Sequence, residues 1–169
     1  MKKILLVAVA GSLLSLGLLQ AKYETEMFDA YYDHQNNNET KLNQIKKYHT
    51  DGADINSYSK YGSTLLIQAA SSNQLDIVKY LLQYRRVDID AKNKTTGNTA
   101  LITAVKYSHN PKMVQYLVDQ GANINALNNE KKSALKEAEE SVAFSPTKTS
   151  VEILEILKNA QGSQKSKGK

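Results

Sequence analysis

Gly62-Ser-Thr-Leu-Leu-Ile-Gln-Ala-Ala70 returns as Gly97-Asn-Thr-Ala-Leu-Ile-Thr-Ala-Val105, with Thr64 and Thr99 standing 35 positions apart. A weaker third copy, Glu130-Lys-Lys-Ser-Ala-Leu-Lys-Glu-Ala-Glu139, puts Ser133 another 34 positions on. A second phrase keeps the same step: Gly52-Ala-Asp-Ile-Asn56, Arg86-Val-Asp-Ile-Asp90 and Gly121-Ala-Asn-Ile-Asn125. Between the two phrases lie Ile77, Val78, Leu81 and Leu82, then Met113, Val114, Leu117 and Val118. Their i, i+1, i+4, i+5 spacing is that of one buried helix face. A unit of this length has an apolar flank that only a neighbouring unit can cover, so the repeat implies a stack.

These blocks resemble the ankyrin repeat, a turn followed by two antiparallel helices. The family's opening Gly-x-Thr-x-Leu-x-x-Ala is met at Gly62, Thr64, Leu66 and Ala69, and again at Gly97, Thr99, Leu101 and Ala104. Its Ile-Val-x-x-Leu-Leu core and closing Gly-Ala-Asp-x-Asn are present as well, and the likeness runs from about Leu42 to Leu157. The resemblance implies an all-α solenoid of about four helix-turn-helix units with short hairpin turns, at 22–56, 57–90, 91–125 and 126–160, the first and last being divergent caps.

The chemistry at these positions supports that reading. Thr64 and Thr99 stand where a side-chain oxygen can accept from an orphan amide at a helix start. Ala69 and Ala104 are small where helices must approach closely. Asn73 suits a left-handed helix end, and Asn110-Pro111 supplies a cap followed by a helix-starting proline. Leu65 and Ala100 replace the family's usual proline. Arg86 replaces its glycine, so either the turn is reshaped or a left-handed residue costs about 1 kcal/mol. In the last unit Ala138 to Ile153 is 15 positions against 10 for Ala104 to Val114. The extra residues are expected to lengthen the loop around Phe144-Ser-Pro146, as a plug over the end of the stack or as part of a binding surface. In the first unit, Glu24–Tyr32 and Thr40–His49 read as a helix pair with Phe28, Tyr31, Leu42, Ile45 and Tyr48 facing inward.

The ends of the chain differ from its body. Lys2 and Lys3 precede a nearly unbroken apolar run from Ile4 to Leu19, then Gln20 and Ala21. That is the order of a secretory signal peptide, and the run falls short of the roughly 20 residues a membrane-spanning helix needs. Residues 1–21 are therefore expected to be cleaved, after Ala21 or at Gly17, leaving no membrane attachment. Residues 161–169, rich in Gly, Ser, Gln and Lys, read as a disordered basic tail. Two lysines leave with the leader and three sit in the tail, so the formal charge of +5 reduces to zero over 22–160. The body lacks the global field that would attract nucleic acid. With 169 residues, 41% of them hydrophobic, one packed domain is within reach, and with no cysteine its stability must come from packing.

No constellation for catalysis emerges. His34, His49 and His109 lack metal-pair spacing, and neither a phosphate loop nor a nucleophile elbow is present. Asp54, Asn56, Asp88, Asp90, Asn123 and Asn125 could suggest calcium, but Asx side chains organising turns one repeat apart explain them. No enzyme, metal or cofactor is expected. What remains is surface, and the ankyrin resemblance implies binding through a concave groove made of the hairpin tips and the first helix of each unit. Carried over by register, the tips are Tyr58, Lys60 and Tyr61, then Lys92, Lys94 and Thr95, then Leu127, Asn128 and Asn129. The first-helix positions are Ile67, Gln68, Ile102, Thr103, Lys106 and Lys136. Tyr58 and Tyr61 are the expected anchors, since tyrosine buries a large area with little entropy loss. The reading is of a monomeric, non-enzymatic module in the bacterial envelope, periplasmic or else secreted, that binds a protein partner. It would act as an immunity-type inhibitor or as support for an envelope enzyme. The alternative is a secreted effector that engages host proteins.

Overall fold

The computed structural model describes residues 2–167, with side chains described over 15–162. The chain divides into two compact units, residues 1–59 and 60–169.

The first unit is a single helix pair, α1 (Lys2–Tyr32) packed on α2 (Asn38–Thr50). The Asn37 side chain caps α2 by accepting from the Thr40 amide at 2.8 Å. Met27, Phe28, Ala30, Tyr31 and Ile45 are buried. Leu42 and Tyr48, expected to face inward, are only half-buried, and Met27, not among the residues expected inside, is fully buried. Most of the expected signal peptide falls on residues 1–14, outside the described side chains. Helix α1 passes without a break through Ala21. Among the described residues no helix is long and apolar enough to cross a membrane.

The second unit holds three helix pairs. They are α3 (Leu65–Ser71) with α4 (Leu75–Leu82), α5 (Ala100–Thr103) with α6 (Pro111–Asp119), and α7 (Ala134–Phe144) with α8 (Lys148–Lys167). Helix α5 continues into a π-helical turn, Ala104–Ser108. First helices stack on first helices, α3 on α5 and α5 on α7, while α6 packs on α8. Ala69, Ala104 and Ala138 are fully buried at these crossings, where a larger side chain would force the helices apart. Thr64 and Thr99 accept from the amides of Ile67 and Ile102 at 3.4 and 3.3 Å, and Ser133 repeats the cap toward Lys136 at 3.2 Å. Ile77, Val78 and Leu81, followed by Met113, Val114 and Leu117, are buried as their spacing required, whereas Leu82 and Val118, expected on the same face, are only half-buried.

Three departures from strict periodicity have physical causes. The Arg86 turn is reshaped. Gly52 and Gly121 end their helices with positive φ, each followed by an amide that reaches back five residues, Ala53 to Tyr48 and Ala122 to Leu117. Between Leu81 and Ile89 there is one residue more than between Leu117 and Ile124. The spare residue lets Tyr84 and Val87 close successive turns onto Leu81 and Tyr84, with no left-handed residue required. The π-helical turn absorbs another spare residue, because Thr99 to Asn110 is one longer than Thr64 to Gln74. His109 then takes the left-handed end, φ 46°, that Asn73 takes in the preceding pair at φ 57°.

The last pair corrects an expectation. Its extra residues lengthen α7 to 11 residues, against 7 in α3, and leave only Ser145–Thr147 between the helices. Phe144 is 93% exposed and plugs nothing. The run Ala138–Ala143 contains neither glycine nor proline, so the helix continues for an extra turn. Helix α8 extends to Lys167, past Ala160, since Gly162 alone is a weak breaker and no proline follows.

Candidate functional site

The hairpins of the second unit are built by one residue type used twice. Asn93 accepts from the amides of Thr95 and Thr96 at 2.9 and 2.8 Å, and Asn128 accepts from those of Glu130 and Lys132, both at 3.0 Å. Each asparagine also reaches back to the hairpin before it. The Asn93 Nδ2 donates to Ser63 Oγ at 2.6 Å, and the Asn128 Nδ2 donates to Asn98 Oδ1 at 2.9 Å. Backbone bonds tie the edges together as well, Lys94 N–H to Gly62 O at 2.8 Å and Asn129 N–H to Thr96 O at 3.0 Å. Gly62 and Gly97 are required there. Both have φ near +70°, and a Cβ on Gly97 would lie 2.4 Å from Asn129 Oδ1. The tips therefore form one hydrogen-bonded row rather than three independent loops.

This row sorts the expected binding residues. Lys60, Tyr61, Lys92, Lys94, Thr95 and Leu127 are exposed in the second unit, and Tyr58 is exposed in the first. Tyr61 is 59% exposed, with the Lys60 ammonium 5.2 Å from its ring centre, and Leu127 is 45% exposed. Lys92 also staples two tips, donating to the Leu127 carbonyl at 2.7 Å. Asn129 staples them too, donating to the Thr95 carbonyl at 2.9 Å.

Asn128 is corrected. It is 4% exposed, and its amide lies between Asn98 and Glu137, so it holds repeats together instead of meeting a partner. Ile67, Ile102 and Thr103 are corrected likewise, at 4%, 1% and 4% exposed. The first helices are so closely stacked that these positions face their neighbours. Gln68 is half-buried and Lys136 exposed.

Lys106 is partly open but committed. Its ammonium lies 3.4 Å from the buried Glu137 carboxylate on α7 and 4.0 Å from Glu130. Beside it Lys132 pairs with Glu140 at 2.6 Å and with Glu130 at 3.5 Å. The hydrogen bond from Lys132 holds the Glu140 carboxyl below its usual range and raises the lysine in turn. Both groups remain partly open to water, which screens the pair and keeps its contribution to stability small.

The sequence reading missed three residues on this face. Tyr107, 53% exposed, stands on the π-helical turn, and only the one-residue excess in spacing hinted at it. Lys131 holds φ 61° where the two earlier tips have glycine. Glu130 faces Lys106 and Lys132, a link no periodicity discloses. Among the described residues no group of three His, Asp or Glu side chains comes together that could hold a metal.

Stacked helix pairs with a stapled row of tips define a helical repeat solenoid, a scaffold that presents surface. A family model described as ankyrin repeats (3 copies) matches residues 33–128, and the chain belongs to the ankyrin-repeat family. Ankyrin repeats are protein–protein interaction modules and generally non-enzymatic scaffolds. No curated protein matches the chain.

Proposed function

We propose that the chain is exported, loses residues 1–21, and acts in the bacterial envelope by holding a protein partner on the tip row and the open first-helix turns of its second unit. The observation that carries this reading is the exposure of Tyr61 and Leu127 on hairpins already locked to one another. Apolar anchors on a rigid frame lose little entropy on binding, which is what a docking surface needs. Export is supported by Leu16, Leu18 and Leu19, which are exposed and belong to no core. The partner is either a toxic enzyme that the module occludes, as an immunity-type inhibitor, or an envelope enzyme that it supports.

The test is capture from an envelope extract with the tagged full chain, compared with Tyr61→Ala combined with Leu127→Ala, and with Tyr58→Ala separately. The expected result is one main protein partner, lost with the Tyr61 and Leu127 pair while the melting temperature holds. Undiminished capture by that variant sinks the surface assignment. A processed chain found in culture medium bound to a host protein replaces the envelope reading with the secreted effector.

A further inference from the structure

The tip row of the second unit is strongly one-signed. Residues 60–64, 91–98 and 126–132 contain five lysines and a single carboxylate, although residues 22–160 as a whole are neutral. That carboxylate, Glu130, is exposed and lies 3.5 Å from Lys132 and 4.0 Å from Lys106, so four lysines of the row have no carboxylate of the row beside them. Lys60, Lys92, Lys94 and Lys131 are exposed, and the hydrogen bonds between tips hold their backbones at fixed spacing. Lys92 spends one of its three N–H groups on the Leu127 carbonyl and keeps the other two.

Lys131 is the telling member. At Gly62 and Gly97 the left-handed backbone is combined with the close approach of the next tip. Among the described residues no further hairpin follows Lys131, and its backbone keeps the left-handed φ of 61°. Glycine would adopt it without strain, whereas lysine adopts it at a cost. The row thus ends on a lysine held at a backbone angle that favours glycine.

We infer that the row receives an acidic protein segment, carboxylates along the lysines and apolar side chains against Tyr61 and Leu127. This rests on the protein-binding reading above and names the chemistry of the partner. Exposed charges of one sign steer encounter and choose partners, and their action weakens with salt. The exposed tyrosine and leucine favour a protein over a bare polyanion, which would leave them unused.

The probe is a fluorescent peptide rich in glutamate with two phenylalanines, set against the same peptide with lysine in place of glutamate. It is titrated into the full chain at low and at high salt. The expected result is binding of the glutamate peptide only, weakening at high salt and falling about tenfold or more in Lys94→Glu combined with Lys131→Glu. Lys131→Gly serves as a control for folding, since it should melt higher while binding the probe more weakly. Equal binding by the charge-reversed variant, or tighter binding of single-stranded DNA or of phosphatidylserine vesicles, overturns the inference. Capture of an envelope protein through Tyr61 and Leu127 that is insensitive to salt and to the lysine changes also overturns it, and leaves the protein-binding reading standing.

Discussion

Glycine does two separate jobs in this chain, and substitution tells them apart. Gly121 has φ 90°, with nothing within 4 Å of an added Cβ. Gly97 has φ 71°, with the Asn129 side chain and backbone amide 2.4 and 2.8 Å from that position. Gly121→Ala should therefore destabilise by about 1 kcal/mol, the strain of a left-handed alanine. Gly97→Ala carries the same strain and also pushes on a neighbouring backbone, so about 2–4 kcal/mol is expected. Chemical denaturation of the two variants checks the order, and equal losses would mean the tips are not in close contact. The repeat period made both glycines legible in the sequence, but not their difference. Contact between hairpins 35 residues apart is a tertiary fact.

Helices show the same division. Caps, periodic apolar faces and the Asn110-Pro111 start were readable because each depends on residues a turn or less apart. The π-helical turn, the reshaped Arg86 turn and the longer α7 were not, because a spare residue can enter a loop or a helix and spacing alone does not choose. Tyr107 sits in the spare turn and is more than half exposed, so deleting it should restore an ordinary helical ladder without opening the core. The deletion is expected to change stability by less than about 1 kcal/mol, read from urea melts, whereas a large loss would show the turn to be part of the packing.

The opposite holds for Glu137, on α7. It was legible only as a helix position, yet it is 8% exposed and receives both Lys106 and the Asn128 amide. Glu137→Ala removes one acceptor from each donor, leaving Asn128 with Asn98 and Lys106 with the more distant Glu130, and a loss of about 1–3 kcal/mol is expected. Glu137→Gln, which keeps an acceptor oxygen, should lose less. Equal stability of all three chains would mean that water satisfies the site.

On the scale of the whole chain, the question is which residues the fold needs. In a repeat protein each unit is stabilised by its own packing and by its immediate neighbours, so residues that touch no core can be removed without effect at a distance. Helix α1 is continuous, but among its described side chains, from residue 15 on, the buried ones, Met27, Phe28, Ala30 and Tyr31, all follow Ala21. Ahead of that point Leu16, Leu18 and Leu19 are 65%, 69% and 43% exposed. Exposed leucines in a row contribute nothing to folding and invite association. Glu24 and Glu26 would then lie in the first turn of the shortened helix, where negative charge is favourable. A chain of residues 22–169 is thus expected to melt within about 2 °C of the full chain, while light scattering shows less aggregation. A fall of more than about 5 °C would make residues 1–21 part of the folded structure and remove the physical argument for their cleavage.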